Sequence, residues 1–440
     1  MQDMTLKSCS VVARALASSS LYEESACFLP ITVKKLERAK VIWVNRRLET
    51  EIRKYFGVGL EADVSELILS RLAYTITSPE SASSRLVTDF YGSSGVTFFG
   101  GSGRAAIIDG LQVKGVGKTP LVSPYTNWHH SHGSVFLAEA IREVFYAERI
   151  QAEIPSSVVP YWAIIDCCEY IDLPNGTREP RALLVRPFVI RPAHVERALG
   201  YGHAKGQFKR TFQLSDRRRV SSWVEFATTN LEFDLVEFSE KLGSACANCH
   251  VNSWFHGGLF SSLVDLDARV IDFGSTRRVE SWLRVNYEPG EPAFGEEIRY
   301  GFNILRSIAF SFARYGGMIF DVNQVLDRFN YSYRNAAIML LAGGASTTTK
   351  EDSGIFEVFI DHFNRAQICG SHDLAQTIAN QLFDELKCSH PLGSTPPERR
   401  EDIERSALEL VRNLKDGADL QDPIDQLIQS GVGFPASKGS

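Results

Sequence analysis

The chain reads as an α+β protein in two lobes, a β-rich half followed by a helical half. Three observations predict this. Short apolar runs broken by glycines, with an Asp109-Gly110 hairpin turn among them, crowd residues 91–190. Long stretches with apolar residues at helical spacing dominate beyond about residue 220. Near the start of that helical half stand a His256-Gly257 turn and, after two apolar runs, Asp272-Phe273-Gly274.

The last feature makes the expected fold protein-kinase-like, with a nucleotide between the lobes. In that arrangement the Asp of an Asp-Phe-Gly segment holds the metal on the phosphates, and an Asp and an Asn on the preceding loop do the rest. Here Asp272 is present, while Gly258 and Leu263 fill the other two places. The pattern is therefore that of a kinase-like fold without part of the usual kinase chemistry.

In chain order, residues 1–90 read as a helical extension, with 34–56 its clearest helix. Residues 91–190 form the β-rich lobe, with strands at 96–99, 104–108, 111–114, 158–165 and 182–189 and a helix at 133–150. That helix carries its apolar stripe on Leu137, Ile141, Val144 and Phe145. Residues 191–388 form the helical lobe, with helices at 222–242, 297–315, 321–341 and 355–388. A Pro/Ser-rich break opens residues 389–440, which hold one charged amphipathic helix at 398–414 and a tail.

With 47 Lys and Arg against 53 Asp and Glu, the net charge is −6, so no nucleic-acid partner is expected. The best apolar run, 336–342, is far too short to span a bilayer, so no membrane association is expected. Residues 1–20 lack a basic start followed by an apolar core, and no signal peptide is read there. Eight cysteines are then expected as reduced thiols in a cytoplasm. Cys246-Ala247-Asn248-Cys249-His250 fits the haem-attachment spacing, but without an export signal or a nearby methionine no haem is expected.

A kinase-like site needs backbone that can approach phosphates, a fixed cation, an anchor for it and a metal-binding carboxylate. Gly100-Gly101-Ser102-Gly103 supplies the first. Lys114 ends a strand one hairpin later and supplies the second. Glu143 on the following helix is the expected anchor, ahead of Glu139 and Glu148, and Asp272 is the expected ligand for Mg²⁺ or Mn²⁺. Gly115-Val116-Gly117-Lys118-Thr119 is not a P-loop, since Gln112 stands at its first glycine and Pro120 where a helix should open. His129, His130 and His132 leave a metal site, a phosphate-side loop and a solvated loop all open. The basic cluster Lys205, Lys209, Arg210 and Arg217 to Arg219 reads as a solvated loop, with docking of an acidic partner as the alternative.

Three segments together resemble the selenoprotein O family. They are Gly101-Ser102-Gly103-Arg104-Ala105, then Leu111-Gln112-Val113-Lys114-Gly115-Val116-Gly117-Lys118-Thr119-Pro120, then Ile141-Arg142-Glu143. The family's patterns are GDGRA, LKGAGxTP and SIRE, and the likeness covers roughly residues 30–280. The resemblance implies a pseudokinase fold that binds ATP in a flipped orientation and transfers AMP to protein hydroxyls. It implies that Lys114 and Glu143 are an ion pair, that Asp272 binds metal, and that Gly101, Gly103, Arg104 and Lys118 lie beside the phosphates. Two arginines of the family hold those phosphates; Arg186, Arg191 and Arg197 are the candidates here, and the spacing leaves the pair open.

The chain departs from the family at the catalytic loop, where the family's Asp-Asn falls on Ser262-Leu263, with Asp265 or Asp267 as possible substitutes. The family's C-terminal cysteine pair is also missing. Tyr91-Gly92-Ser93-Ser94-Gly95 and Arg191-Pro192-Ala193-His194 further resemble a divergent branch that accompanies peptide-antibiotic (microcin-type) maturation genes. That leaves two expectations: AMP transfer to a protein or peptide, or a catalytically degenerate binding protein in peptide maturation. An ordinary small-molecule phosphotransferase ranks last, because it needs the missing Asp and Asn.

Overall fold

The computed structural model describes residues 20–92, 101–122, 128–198, 206–287, 292–342, 350–387, 399–415 and 419–431. The protein is α+β and two-lobed, as its sequence predicts. Its first lobe is a nine-stranded sheet. The strands are β1 (Phe28–Lys35), β2 (Lys40–Val44), β3 (Tyr74–Ile76), β4 (Ser84–Asp89), β5 (Ala105–Ile108), β6 (Leu111–Lys114), β7 (Val135–Phe136), β8 (Ala163–Asp172) and β9 (Arg178–Pro187). They run in the order β2-β8-β9-β6-β5-β4-β1-β3, with β7 also paired to β9.

The β5–β6 hairpin turns on Asp109 (φ 50°) and Gly110 (φ 78°), the two left-handed residues that a tight two-residue turn demands. Alternation then divides the sheet into two faces. Val113, Ile165, Leu183 and Val185 face one core with Ile52 of α1 (Glu49–Phe56) and Ile68 of α2 (Val64–Leu72). Ile107, Ile164, Ala182 and Leu184 face the larger core.

A one-turn helix, α3 (Trp128–Ser131), precedes β7, and the long helix α4 (Leu137–Glu153) follows it. α4 buries Ala140, Ile141, Val144 and Phe145 in the larger core, which continues into the second lobe. That lobe comprises α5 (Pro192–Val195), α6 (Gly206–Asn230), α7 (Leu235–Val251), α8 (Glu297–Gly316), α9 (Val322–Leu341), α10 (Lys350–Ile368) and α11 (His372–Glu385). A two-stranded ladder of β10 (Trp254–Phe255) and β11 (Arg277–Arg278) lies between α7 and α8 in sequence. α7 and α9 approach closely at Gly243, where a Cβ would stand 2.3 Å from the Phe329 carbonyl oxygen. The chain continues with α12 (Arg400–Lys415) and α13 (Gln421–Ser430).

Several expectations are corrected. Residues 1–90 are not a helical extension where described: β1 to β4 belong to the sheet, and 34–56 holds the end of β1, β2 and only then a helix. The reason is visible in β1, where Phe28, Ile31 and Val33 are buried and the β-branched run 31–33 favours a strand. The helix expected at 222–242 is two helices, broken between Asn230 and Leu235, where Asp234 caps the second through the Val236 amide. The helix expected at 355–388 also divides, at Ser371, whose side chain accepts from the Leu374 amide. The apolar runs around Asp272 form only the single bridges Val158 to Val270 and Val264 to Val270. The C-terminal region holds a second helix, α13, that was not expected. The strand expected at 96–99 lies outside the described residues. No described helix is long and apolar enough to cross a membrane.

Candidate functional site

Strand β6 sends Leu111 and Val113 into one core and turns Gln112 and Lys114 to the other face. Lys114 Nζ donates to Glu143 Oε1 at 2.7 Å and to Asp272 Oδ1 at 2.9 Å. One buried ammonium thus joins the sheet, helix α4 and the segment after the His-Gly turn. This is the lysine–glutamate–aspartate arrangement on which a kinase-like nucleotide site is built. The alternatives to Glu143 are occupied elsewhere: Glu139 pairs with Arg104 at 2.9 Å, and Glu148 with Arg47 at 3.0 Å. Glu143 Oε2 also accepts the hydroxyl proton of buried Tyr161. Burial and the adjacent Glu143 carboxylate push the Tyr161 pKa well above its usual value.

Asp272 has φ 63°, a left-handed conformation unusual outside glycine. Burial alone would raise its pKa. The Lys114, Arg186 and Arg191 cations outweigh burial and hold the carboxyl well below the usual range. Asp272 is therefore held as an anion by the cations around it.

Gln112 faces Arg186 across the β6–β9 ladder. Its Oε1 accepts from Arg186 Nε at 3.0 Å and Nη2 at 2.6 Å, and from Arg191 Nη2 at 3.2 Å. Arg186 Nη2 also lies 3.6 Å from Asp272 Oδ1. Arg191 Nη1 donates to the Ser262 carbonyl at 3.0 Å, and its guanidinium lies 5.0 Å from the centre of the Tyr91 ring. Three buried donors here have no hydrogen-bond partner: Arg186 Nη1, Arg191 Nε and Gln112 Nε2. Buried donors without acceptors are costly.

Of the three candidate arginines, Arg186 and Arg191 converge and Arg197 does not. Arg197 bonds Asp216 of α6 and, at 3.0 Å, the Tyr315 hydroxyl of α8. The glycine segment is anchored beside β6: Gly115 N bonds Arg104 O at 2.7 Å, and Thr119 N bonds Gly103 O at 3.0 Å. Gly101 has φ 104°, and a Cβ there would stand 2.6 Å from the Asp89 carbonyl oxygen. Arg104 turns to Glu139 and to the Ser134 carbonyl at 3.1 Å, and Lys118 is exposed.

The loop explains the departure from kinase chemistry. His256 Nε2 meets the Ile271 carbonyl at 3.0 Å and fastens the His-Gly turn to the segment before Asp272. Gly258 has φ 153°, and a Cβ there would lie 2.4 Å from Phe260 Cε2. An aspartate does not fit that position unless Phe260 moves. Asp265 is not a substitute: it is buried, pairs with Arg269 at 2.5 Å and accepts from the Asp267 and Arg269 amides. Asp267 pairs with Lys241 at 3.0 Å. Asp272 is thus left as the carboxylate of this loop system that meets Lys114. One carboxylate can hold Mg²⁺ where phosphates and water supply the other oxygens.

The remaining motifs have structural partners. His250 bonds the Tyr333 hydroxyl at 2.9 Å and Glu297 at 3.1 Å, buried beside Cys246 and Cys249. His132 Nδ1 accepts from the Ser134 amide at 3.0 Å, and no cluster of three metal-ligating side chains occurs among the described residues. Of the basic cluster, Arg218 pairs with Glu24 at 2.7 Å and buried Arg219 with Asp216 at 2.7 Å. The side chains of Lys205, Lys209 and Arg210 lie outside the described residues. Gly92 N bonds Ala193 O at 2.6 Å, which joins the Tyr91-Gly92 and Arg191–His194 pieces.

Sequence reasoning missed Gln112 and Tyr161. Gln112 was legible as a polar residue two positions before Lys114, on the same face of the strand. Tyr161 carried no local signal.

No protein-family model matches the chain, and no curated protein sequence matches it. Among solved structures it is similar to a Toxoplasma gondii protein described as a virulence factor with a protein-kinase fold and no enzymatic activity. That match has 9% identity and a TM-score of 0.28, and covers 88% of this chain and 99% of the other.

Proposed function

We propose that this protein binds ATP with Mg²⁺ or Mn²⁺ between its lobes and transfers AMP to a hydroxyl of a protein or peptide, in the manner of the selenoprotein O family. The observation that carries the reading is Lys114 bridging Glu143 and Asp272, with Arg186 and Arg191 directed to the same carboxylate region. The motif resemblance at Gly101 to Pro120 and Ile141 to Glu143 supports the same reading.

In it, Lys114 neutralises phosphate oxygens and is held in place by Glu143. Arg186 and Arg191, pre-positioned on Gln112, fork onto the phosphates and stabilise charge as pyrophosphate leaves. Asp272 holds the metal, whose role is to neutralise phosphate charge. Without an aspartate at Gly258 the chain has no evident base at the kinase position, so transfer depends on charge stabilisation and on an acceptor hydroxyl that is already well placed.

The closed Gly258 position favours a second reading, a catalytically degenerate kinase-like binding protein acting in microcin-type peptide maturation. Incubation with ATP labelled at the α- or γ-phosphate separates the two. Label on protein from the α position alone supports AMP transfer. No label from either position rejects transfer to protein and leaves the binding reading; label from γ alone rejects both.

A further inference from the structure

Helix α4 carries Glu143, and the residue just before it, Arg142, makes a second connection across the site. Arg142 Nη1 donates to Glu404 Oε1 of α12 at 3.0 Å, and Nη2 reaches the Gly274 carbonyl at 3.4 Å, two residues beyond Asp272. Glu404 Oε1 also accepts from Arg400 Nε at 2.9 Å, so the carboxylate is fixed within its own helix. α12 is anchored in turn by buried Ile403, Ala407, Leu410 and Val411. α13 fastens the same C-terminal region to the edge strand β2: Gln421 bonds the Val44 amide at 2.7 Å and its carbonyl at 3.0 Å, and Asp425 accepts from Trp43 Nε1 at 2.8 Å.

We infer that α12 and α13 form a brace in cis for the nucleotide site, with Arg142 as its positioning residue. Lys114 ties Glu143 to Asp272. Arg142 ties the same helix to the same segment, and Glu404 holds its guanidinium in the geometry that reaches Gly274. Kinase-like sites require the lysine–glutamate pair and the Asp segment to be in place together. Here the C-terminal helices of the same chain supply that registration. The guanidinium serves its two partners from two separate nitrogens, Nη1 and Nη2, whereas a lysine would have to reach both from a single ammonium nitrogen.

The inference rests on the ATP-binding reading for its functional consequence, and its test separates the two. Full-length wild type, Glu404→Gln and Arg142→Lys are compared for ATP·Mg²⁺ affinity by calorimetry and for amide exchange over residues 139–150 and 270–276. Glu404 is 38% exposed in its side chain, so the isosteric change leaves the fold intact; Arg142→Lys provides the second variant. Both are expected to weaken ATP about 3- to 30-fold, the range of a positional coupling, and to speed exchange in both segments. Wild-type affinity in both variants overturns the brace. If wild type itself does not bind ATP, the functional reading fails, and exchange alone decides: faster exchange in both segments supports the brace and unchanged exchange overturns it.

Discussion

Gln112 and Arg186 stand opposite each other on β6 and β9, and the one amide oxygen of Gln112 takes two hydrogen bonds from the Arg186 guanidinium. A neutral side chain therefore orders a buried cation without neutralising it. The guanidinium's nearest carboxylate is Asp272, 3.6 Å away, and the arrangement leads to the first prediction. Gln112→Leu removes an acceptor shared with Arg191. It is expected to cost about 1.5–3 kcal/mol of folding stability in urea, the range for hydrogen bonds to charged groups. It should also weaken ATP binding. Unchanged stability would mean that the guanidiniums find other acceptors.

Arg186 and Arg197 are expected to separate cleanly. Arg186→Ala abolishes measurable ATP binding, because it removes the guanidinium beside Asp272. Arg197→Ala leaves ATP affinity within about twofold and lowers the melting temperature, because its bonds run to Asp216 and Tyr315 in the helical lobe. Equal loss of ATP binding in the two variants contradicts this assignment.

The depressed pKa of Asp272 makes part of the stability pH-dependent. Lowered in the fold, the group contributes stability that is complete above the ordinary carboxylate value of about 4 and is lost as pH falls below it toward the folded-state value. Urea unfolding of wild type and Asp272→Asn between pH 6 and pH 2 is expected to show a gap that narrows as pH falls below about 4. A gap that stays constant across the range would show that Asp272 is not held as an anion.

Restoring the kinase aspartate is not expected to restore kinase activity. Gly258→Asp places a Cβ against Phe260 in a left-handed backbone conformation. It should destabilise by about 1–3 kcal/mol, the usual range for such strain. Phe260→Ala in the same chain relieves the steric part. Transfer of γ-phosphate by Gly258→Asp alone would show that the loop is freer than its geometry indicates.

The parts of the site that lie on single elements were legible in the sequence. The period-2 pattern of β6 and the glycines around it mark Lys114, the position on the following helix α4 marks Glu143, and the Asp-Phe-Gly segment marks Asp272. Residues 28–44 misled because Lys34, Lys35, Arg38 and Lys40 dilute the alternation that buried Ile31, Val33 and Ile42 would otherwise show. The helix breaks at 231–234 and 369–371 depend on the capping residues Asp234 and Ser371, whose effect is local and easily outweighed in a long apolar pattern.

What the sequence determined by itself is the order of the lobes, the β5–β6 hairpin, and the identity of the Lys114 cation and its two carboxylate partners, Glu143 and Asp272. These follow from local backbone preference and side-chain periodicity, which act over a few residues. Only the tertiary structure decided that Arg186 and Arg191, and not Arg197, share the Gln112 acceptor. It alone closed Gly258 with Phe260 and set α12 against α4. Those relationships join residues 71 to 262 positions apart in some cases, such as Arg191 with Ser262 and Arg142 with Glu404. They arise from how strands, helices and loops pack, and no local pattern encodes the long-range ones.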